Sequence, residues 1–158
     1  MAGPRKPDRV YLDSSVWLSW FDGQVAQPAV RRVLEWAETG QLQLLVSPLH
    51  LVEVLGRRPS VAPGEPDPAV LIEEYFTAGP VTVVEFDVRV AQRARQLRLD
   101  QTMKEVADSI HLAHAIVGRA DVLFTLDVRD FPLDTTIGGV FVAKPYVLGD
   151  EDLFTNDS

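Results

Sequence analysis

The stretch Val10–Trp17, V-Y-L-D-S-S-V-W, decides the fold. An apolar run ends abruptly in a carboxylate, Asp13. Two hydroxyls follow, Ser14 and Ser15, and then a second apolar run begins. A short apolar run rich in β-branched and aromatic residues reads as a buried strand. In open α/β sheets, ligands bind outside the carboxyl ends of the strands. A buried first strand therefore delivers Asp13 to the edge of the sheet where binding occurs.

Working outward, the same punctuation recurs. Strands are predicted at roughly Arg9–Asp13, Leu42–Val46, Val81–Phe86 and Val122–Leu126, with Val140–Ala143 as a fifth, edge strand. Helices are predicted between them. One covers Ser15–Phe21 and stops at Asp22-Gly23. A second starts near Pro28, carries Val30, Val33, Leu34 and Ala37 at helical spacing, and ends at Gly40. Ser47-Pro48 opens a helix to Gly56 with Leu49, Val52 and Leu55 toward the core and Glu53 at the margin of that stripe. A proline-containing loop, Arg57–Pro68, precedes a helix from Pro68 to about Thr77. Asp87 caps Val88–Leu99. Thr102-Met-Lys-Glu105 matches a capping box for a helix through Val106, Ile110, Ala113 and Val117, closed by Gly118. Strands alternating with helices give βαβ units and a mainly parallel sheet. Right-handed crossovers then place helices on both faces.

A length of 158 residues suits a single domain with a proper core, about residues 9–145, and flexible tails at 1–8 and 149–158. No apolar run approaches the ~20 residues that span a bilayer, and no apolar segment follows the basic start M-A-G-P-R-K, so a cytoplasmic protein without membrane contact is expected. The absence of cysteine excludes disulfides, cysteine zinc sites and thiol nucleophiles. A net charge of −8 argues against a broad nucleic-acid-coating surface. It does not argue against an enzyme acting on nucleic acid, because carboxylates gathered around a cation make the formal charge negative.

Four acids stand where solvated surface charge is not expected. Asp13 ends the first strand. Glu53 lies within L-H-L-V-E-V-L-G, Asp108 within V-A-D-S-I-H-L-A-H-A, and Asp127 just after L-F-T-L. Each alone also reads as an N-cap, a turn residue or a carboxylate favoured by a helix dipole. Together, two strand ends and two helix starts at one sheet edge can converge, and buried carboxylates are costly unless paired or bound to a cation. Oxygen-only ligands favour Mg²⁺ or Mn²⁺. One or two such ions would suit in-line phosphodiester cleavage, with Ser14, Ser15 and Thr125 as supporting hydroxyls.

The order Y-L-D-S-S, S-P-L-H-L-V-E-V, V-A-D-S-I-H-L-A-H-A, L-F-T-L-D-V-R-D-F resembles the PIN domain, and within it the VapC-type toxins of bacterial toxin–antitoxin pairs. The resemblance runs from about Val10 to about Val142. It implies a three-layer α/β/α sandwich and a metal-dependent endoribonuclease leaving 5′-phosphate and 3′-hydroxyl ends. It also implies a metal site formed by Asp13, Glu53, Asp108 and Asp127, with Glu53 binding directly or through water. Ser14 or Ser15 and Thr125 match its supporting hydroxyl positions, and Asp130 is a further acid more simply read as a solvated turn. A small antitoxin partner is implied, with homodimerisation as a tendency.

Other residues are weighed in the same way. Arg57, Arg58, Arg89, Arg93, Arg95, Arg98, Lys104, Arg119 and Arg129 include candidates for phosphate contacts, though solvated helix faces are the simpler reading. His111 and His114 read as packing or surface residues. Trp17, Trp20, Phe21 and Trp36 read as core, with an antitoxin groove as the alternative. A haloacid-dehalogenase-like phosphatase would need a second Asp at position 15, where Ser15 stands. A phospho-receiver would need an acidic pair near the first strand, where Arg9-Val10 stand. A non-catalytic RNA- or protein-binding module would not need all four acids.

Overall fold

The structure, a computed structural model, describes residues 3–23, 27–55, 64 and 68–149. Its elements follow the chain as β1 (Arg9–Leu12), α1 (Ser14–Phe21), α2 (Gln27–Glu38), β2 (Gln43–Val46), α3 (Pro48–Leu55) and α4 (Pro68–Ala78). Then come β3 (Val81–Val83), α5 (Val88–Leu99), α6 (Val106–Val117), β4 (Val122–Phe124), β5 (Thr135–Ile137) and β6 (Val140–Ala143). One six-stranded sheet has the order β3-β2-β1-β4-β6-β5. All neighbours are parallel except β5 and β6.

The central strands are buried on both faces, which is why they read as unbroken apolar runs. The period of two still sorts them. Val10, Leu12, Leu44, Val46, Val122 and Phe124 face one core with Val16, Trp17, Val33 and Ile72 of α1, α2 and α4. Tyr11, Leu45, Leu123 and Val142 face the other core with Val90, Leu97, Leu112 and Ala113 of α5 and α6. The result is the expected α/β/α sandwich.

Strand count is the first correction. Val140–Ala143 is not an edge strand. It lies inside the sheet beside β4, and the edge is β5, which the sequence reading missed. The signal was present: Gly138 and Gly139, with φ of +57° and +87°, make the two-residue connection between β5 and β6. A Gly-Gly pair is a hairpin signal because both central residues need positive φ.

Helix starts give further corrections. The capping box at Thr102–Glu105 does not form; α6 begins at Val106, with Glu105 at the N-cap and no side-chain cap bond. Asp108 consequently sits in the first turn, where the helix dipole favours an acid. Among the described side chains of α3 the buried positions are His50 and Val54, while Val52 is 68% exposed, so Val52 does not face the core as expected. That segment is apolar nearly throughout, so its period did not select a face. Strand β3 stops at Val83, short of Phe86. Asp87 caps α5 as expected, accepting bonds from the amides of Arg89 and Val90. The 57–68 loop lies outside the described residues apart from Gly64 and the first residue of α4.

Gly79 follows α4 where the backbone leaves no room for a side chain. A Cβ there would lie 2.6 Å from both Cα and the carbonyl oxygen of Tyr75. Backbone cannot yield as a side-chain tip can, so Gly79→Ala is expected to cost about 1–3 kcal/mol, as overpacking does. A urea midpoint unchanged from wild type would show that the α4–β3 turn relaxes freely.

Candidate active site

Strand order places the site. From β1 the sheet grows one way through β2 and the other way through β4, so the crevice above β1 and β4 is the topological switch point. The chain leaves β1 at Asp13 and leaves β4 at Thr125, and the Asp13 amide donates to the Phe124 carbonyl at 2.9 Å.

Asp13 occupies the N-cap position of α1, yet its side chain makes no cap bond. The buried carboxylate instead accepts hydrogen bonds on Oδ2 from Ser15 Oγ at 2.8 Å and Thr125 Oγ1 at 3.0 Å. Both hydroxyls are themselves fixed from behind. Leu126 N donates to Ser15 Oγ and Asp127 N to Thr125 Oγ1, each at 3.0 Å. A two-residue hydroxyl clamp therefore locks the acid between the two strand ends. Ser14 does something different: its Oγ lies 3.1 Å from His111 Nε2.

Asp127 starts the turn after β4. Its Oδ1 accepts from the amides of Arg129 and Asp130, so the turn reading and the site reading hold together. That turn brings Asp130 back toward α6. Carboxylate oxygens of Asp108, Asp127 and Asp130 lie within 4.8 Å of one another, a grouping that could hold a metal ion. Asp130 thus lies in a turn and beside Asp108 and Asp127 at once, while neither Glu53 nor Asp13 enters this grouping.

Electrostatics records the crowding. Asp108 is pushed up to about 7, first by burial and then by the charges of Asp13, Asp127 and Asp130. Asp130 is also raised, by partial loss of water and by Asp127 beside it. Like charges this close disfavour ionisation unless a cation joins them. An all-carboxylate donor set fits a hard divalent ion, which would displace the Asp108 proton and offset the repulsion.

A pH dependence follows with a definite sign. Between about pH 4 and 7 the folded protein keeps the Asp108 proton that the unfolded chain releases. The folded state binds more protons there, so stability falls as pH rises through that window and levels off above 7. Melting temperatures of chelator-treated protein are expected to show this slope, and Asp108→Asn is expected to flatten it. A slope of the same size in the variant would assign it to other groups.

Glu53 sits at the rim, its side chain 34% exposed, with Oε1 2.5 Å from His111 Nε2. His111 is fully buried, and its Nδ1 lies 2.5 Å from the Tyr11 hydroxyl. His111 packs as expected, with its ring 4.9 Å from that of His50, and in addition it makes polar contacts at the site edge. The missed signal was its spacing: three residues after Asp108 on a helix is the same face. Tyr11 was legible likewise, two residues before Asp13 on one strand face. His114 does pack, with Nδ1 on the Ile110 carbonyl and its ring 5.5 Å from Phe86.

Among the arginines and lysine named above, Arg57 and Arg58 lie outside the described residues, and Arg89 pairs with Asp87 at 2.9 Å. Arg95, Arg98 and Lys104 rim a groove of about 720 Å³ between α5 and α6, floored by Ala94, Met103 and Ile110. None of the clustered acids lines it. Trp17 is buried against Phe21 and Tyr75, which makes it core. No helix among the described residues is long and apolar enough to cross a membrane.

The family model described as the PIN domain matches residues 10–132, from the second residue of β1 to just past Asp130. The chain belongs to the PIN domain family. Two solved structures share the fold of this PIN domain. One is described as a toxin–antitoxin complex from Klebsiella pneumoniae, with a TM-score of 0.56 and 21% identity over 88% of this chain and 99% of that one. The other is described as DNA-bound VapBC from Salmonella typhimurium, with a TM-score of 0.57 and 20% identity over 86% and 97%. No curated protein matches the sequence.

Proposed function

We propose that this PIN domain is a divalent-metal-dependent endoribonuclease and the toxin of a VapBC-type toxin–antitoxin pair. The observation that carries the reading is the convergence of Asp108, Asp127 and Asp130 beside the clamped Asp13 at the sheet's switch point. A binding module gains nothing from repelling carboxylates held this close. A dehalogenase-like phosphatase is disfavoured because Ser15, at the position of its general acid, is spent on holding Asp13.

Asp108, Asp127 and Asp130, with Asp13 behind them, would hold Mg²⁺ or Mn²⁺, one ion or two. A bound ion supplies charge to polarise an attacking water and to offset the leaving oxygen. The chain's own part is placement. Ser15 and Thr125 fix Asp13, the turn amides fix Asp127, and Glu53 reaches the rim where a water or a ribose edge would enter. The substrate is RNA, cut to 5′-phosphate and 3′-hydroxyl ends. The two structural neighbours come from toxin–antitoxin systems, which supports a small antitoxin that covers this edge in the cytosol.

Purified protein incubated with total cellular RNA tests the reading. Discrete products with 5′-phosphate ends are expected with Mg²⁺ or Mn²⁺ and none with excess chelator. Cleavage that survives chelation contradicts the metal mechanism. No cleavage by protein shown by mass analysis to carry no antitoxin contradicts the nuclease.

A further inference from the structure

We infer that His111 is a positioning residue that holds Glu53 at the rim and keeps it out of the inner group of acids, an inference that rests on the metal-nuclease reading above. Four observations meet here. Glu53 is absent from the grouping of Asp108, Asp127 and Asp130, and its Oε1 is hydrogen-bonded to His111 Nε2. That nitrogen also lies 3.1 Å from Ser14 Oγ and 3.9 Å from Asp13 Oδ1, so the ring stands between two carboxylates that would otherwise repel. The far side of the ring is anchored: Nδ1 meets the Tyr11 hydroxyl, which lies 3.0 Å from Ser47 Oγ. All three anchoring side chains are buried, whereas Glu53 keeps one third of its side chain in solvent.

Helix geometry makes the arrangement a unit. Asp108 and His111 are one turn apart on α6, so the same helix presents the inner acid and the group that restrains the outer one. Ser47 is fixed in turn, because its amide donates to His50 Nδ1 at 3.1 Å. The buried chain Ser47–Tyr11–His111 thus ends on the Glu53 carboxylate. Glu53 then acts on water or substrate from the rim, not as an inner ligand of the ion.

Mn²⁺ titration by electron paramagnetic resonance tests this without RNA. In the wild-type background, Glu53→Gln is expected to change Mn²⁺ affinity less than about threefold, while Asp127→Asn weakens it at least about tenfold, as losing an inner ligand should. In a His111→Asn background the released Glu53 can swing inward. There Glu53→Gln is expected to weaken Mn²⁺ binding by more than about threefold. Asn is short enough to keep the Tyr11 side but cannot reach Glu53, whereas His111→Gln, which can, is expected to behave as wild type. Tyr11→Phe, which keeps the ring and loses the hydroxyl, is expected to fall between, and it serves if His111→Asn does not fold. In RNA cleavage, His111→Asn and Glu53→Gln are expected to lower kcat by similar factors, with the double variant no worse than either, because residues acting as a unit are not additive.

Equal loss of Mn²⁺ affinity in Glu53→Gln and Asp127→Asn would make Glu53 an inner ligand and overturn the inference. So would a Glu53→Gln effect on Mn²⁺ that is the same with and without His111. If the titrations follow the expected pattern and no RNA is cut, the nuclease reading fails and the positioning role stands.

Discussion

Asp108→Asn is expected to abolish RNA cleavage while raising the melting temperature of the metal-free protein at pH 8. Both effects have one cause. Asp108 carries the most crowded charge in the cluster, held up to about 7 by burial and by three neighbouring acids. At pH 8 the folded wild type must ionise it at a cost that the unfolded chain does not meet. The amide removes the charge and keeps the shape. Each kcal/mol regained corresponds to about 2–4 °C in a chain of this size, so a rise of a few degrees is expected. The same change removes an inner carboxylate. Metal stabilisation of the transition state contributes several kcal/mol, which is roughly a thousandfold or more in rate. Differential scanning calorimetry with chelator, paired with a cleavage assay, checks both halves. A variant that is inactive and less stable at pH 8 would make Asp108 a structural residue. Adding Mg²⁺ to wild type should reverse the sign, raising the melting temperature of wild type more than that of the variant.

The largest stability loss is expected from Phe124→Ala. Phe124 ends β4, is fully buried, and meets the Tyr146 ring edge-on at 4.9 Å. Its carbonyl accepts the Asp13 amide, and the next residue, Thr125, clamps the Asp13 carboxylate. Truncating a buried phenylalanine costs about 3–5 kcal/mol through lost transfer energy and the cavity left behind. Against a typical total of about 5–15 kcal/mol, that is a large share. The urea midpoint should fall accordingly with an unchanged slope. Cleavage at low temperature should also fall by more than the folded fraction explains, because the seat of Thr125 loosens. A loss under about 1 kcal/mol would mean that the core refills the space, contrary to its close packing.

The parts of the molecule that were legible in the sequence share a physical property: the local pattern had one reading. The β-branched, aromatic runs ending near Asp13 and Asp127 read as short buried strands, and Asp87 before a polar-faced helix reads as a cap. Patterns with two readings misled. The apolar run of α3 selected no face, and Val52 went outward while His50 went in. Thr102–Glu105 had the residues of a capping box, but Met103 is buried in the α5–α6 core with its amide on the Leu97 carbonyl, and α6 starts only at Val106. The β5 strand was too short and polar to register beside its Gly-Gly turn.

The site divides in the same way. Asp13, Asp108 and Asp127 were visible because each interrupts an apolar context. Asp130 could be named only as a further acid in a turn, and only the folded chain brings its carboxylate within 4.8 Å of those of Asp108 and Asp127. His111 and Tyr11 stood at telling positions, three residues after Asp108 and two before Asp13, but a histidine or tyrosine in an apolar helix or strand also looks like core, and both are indeed buried there. Their partners lie across the sheet edge, at sequence distances that no motif spans.

Whether the clustered acids hold a divalent ion separates a metal-dependent nuclease from a binding fold. Crystals soaked in Mn²⁺ and measured by anomalous diffraction test this directly. The expected result is a peak at bonding distance, about 2.0–2.6 Å for hard cations on oxygen, from carboxylate oxygens of Asp108 and Asp127, with Glu53 still against His111. Density for Mn²⁺ only elsewhere, or none at all at millimolar concentration near pH 8, would contradict it.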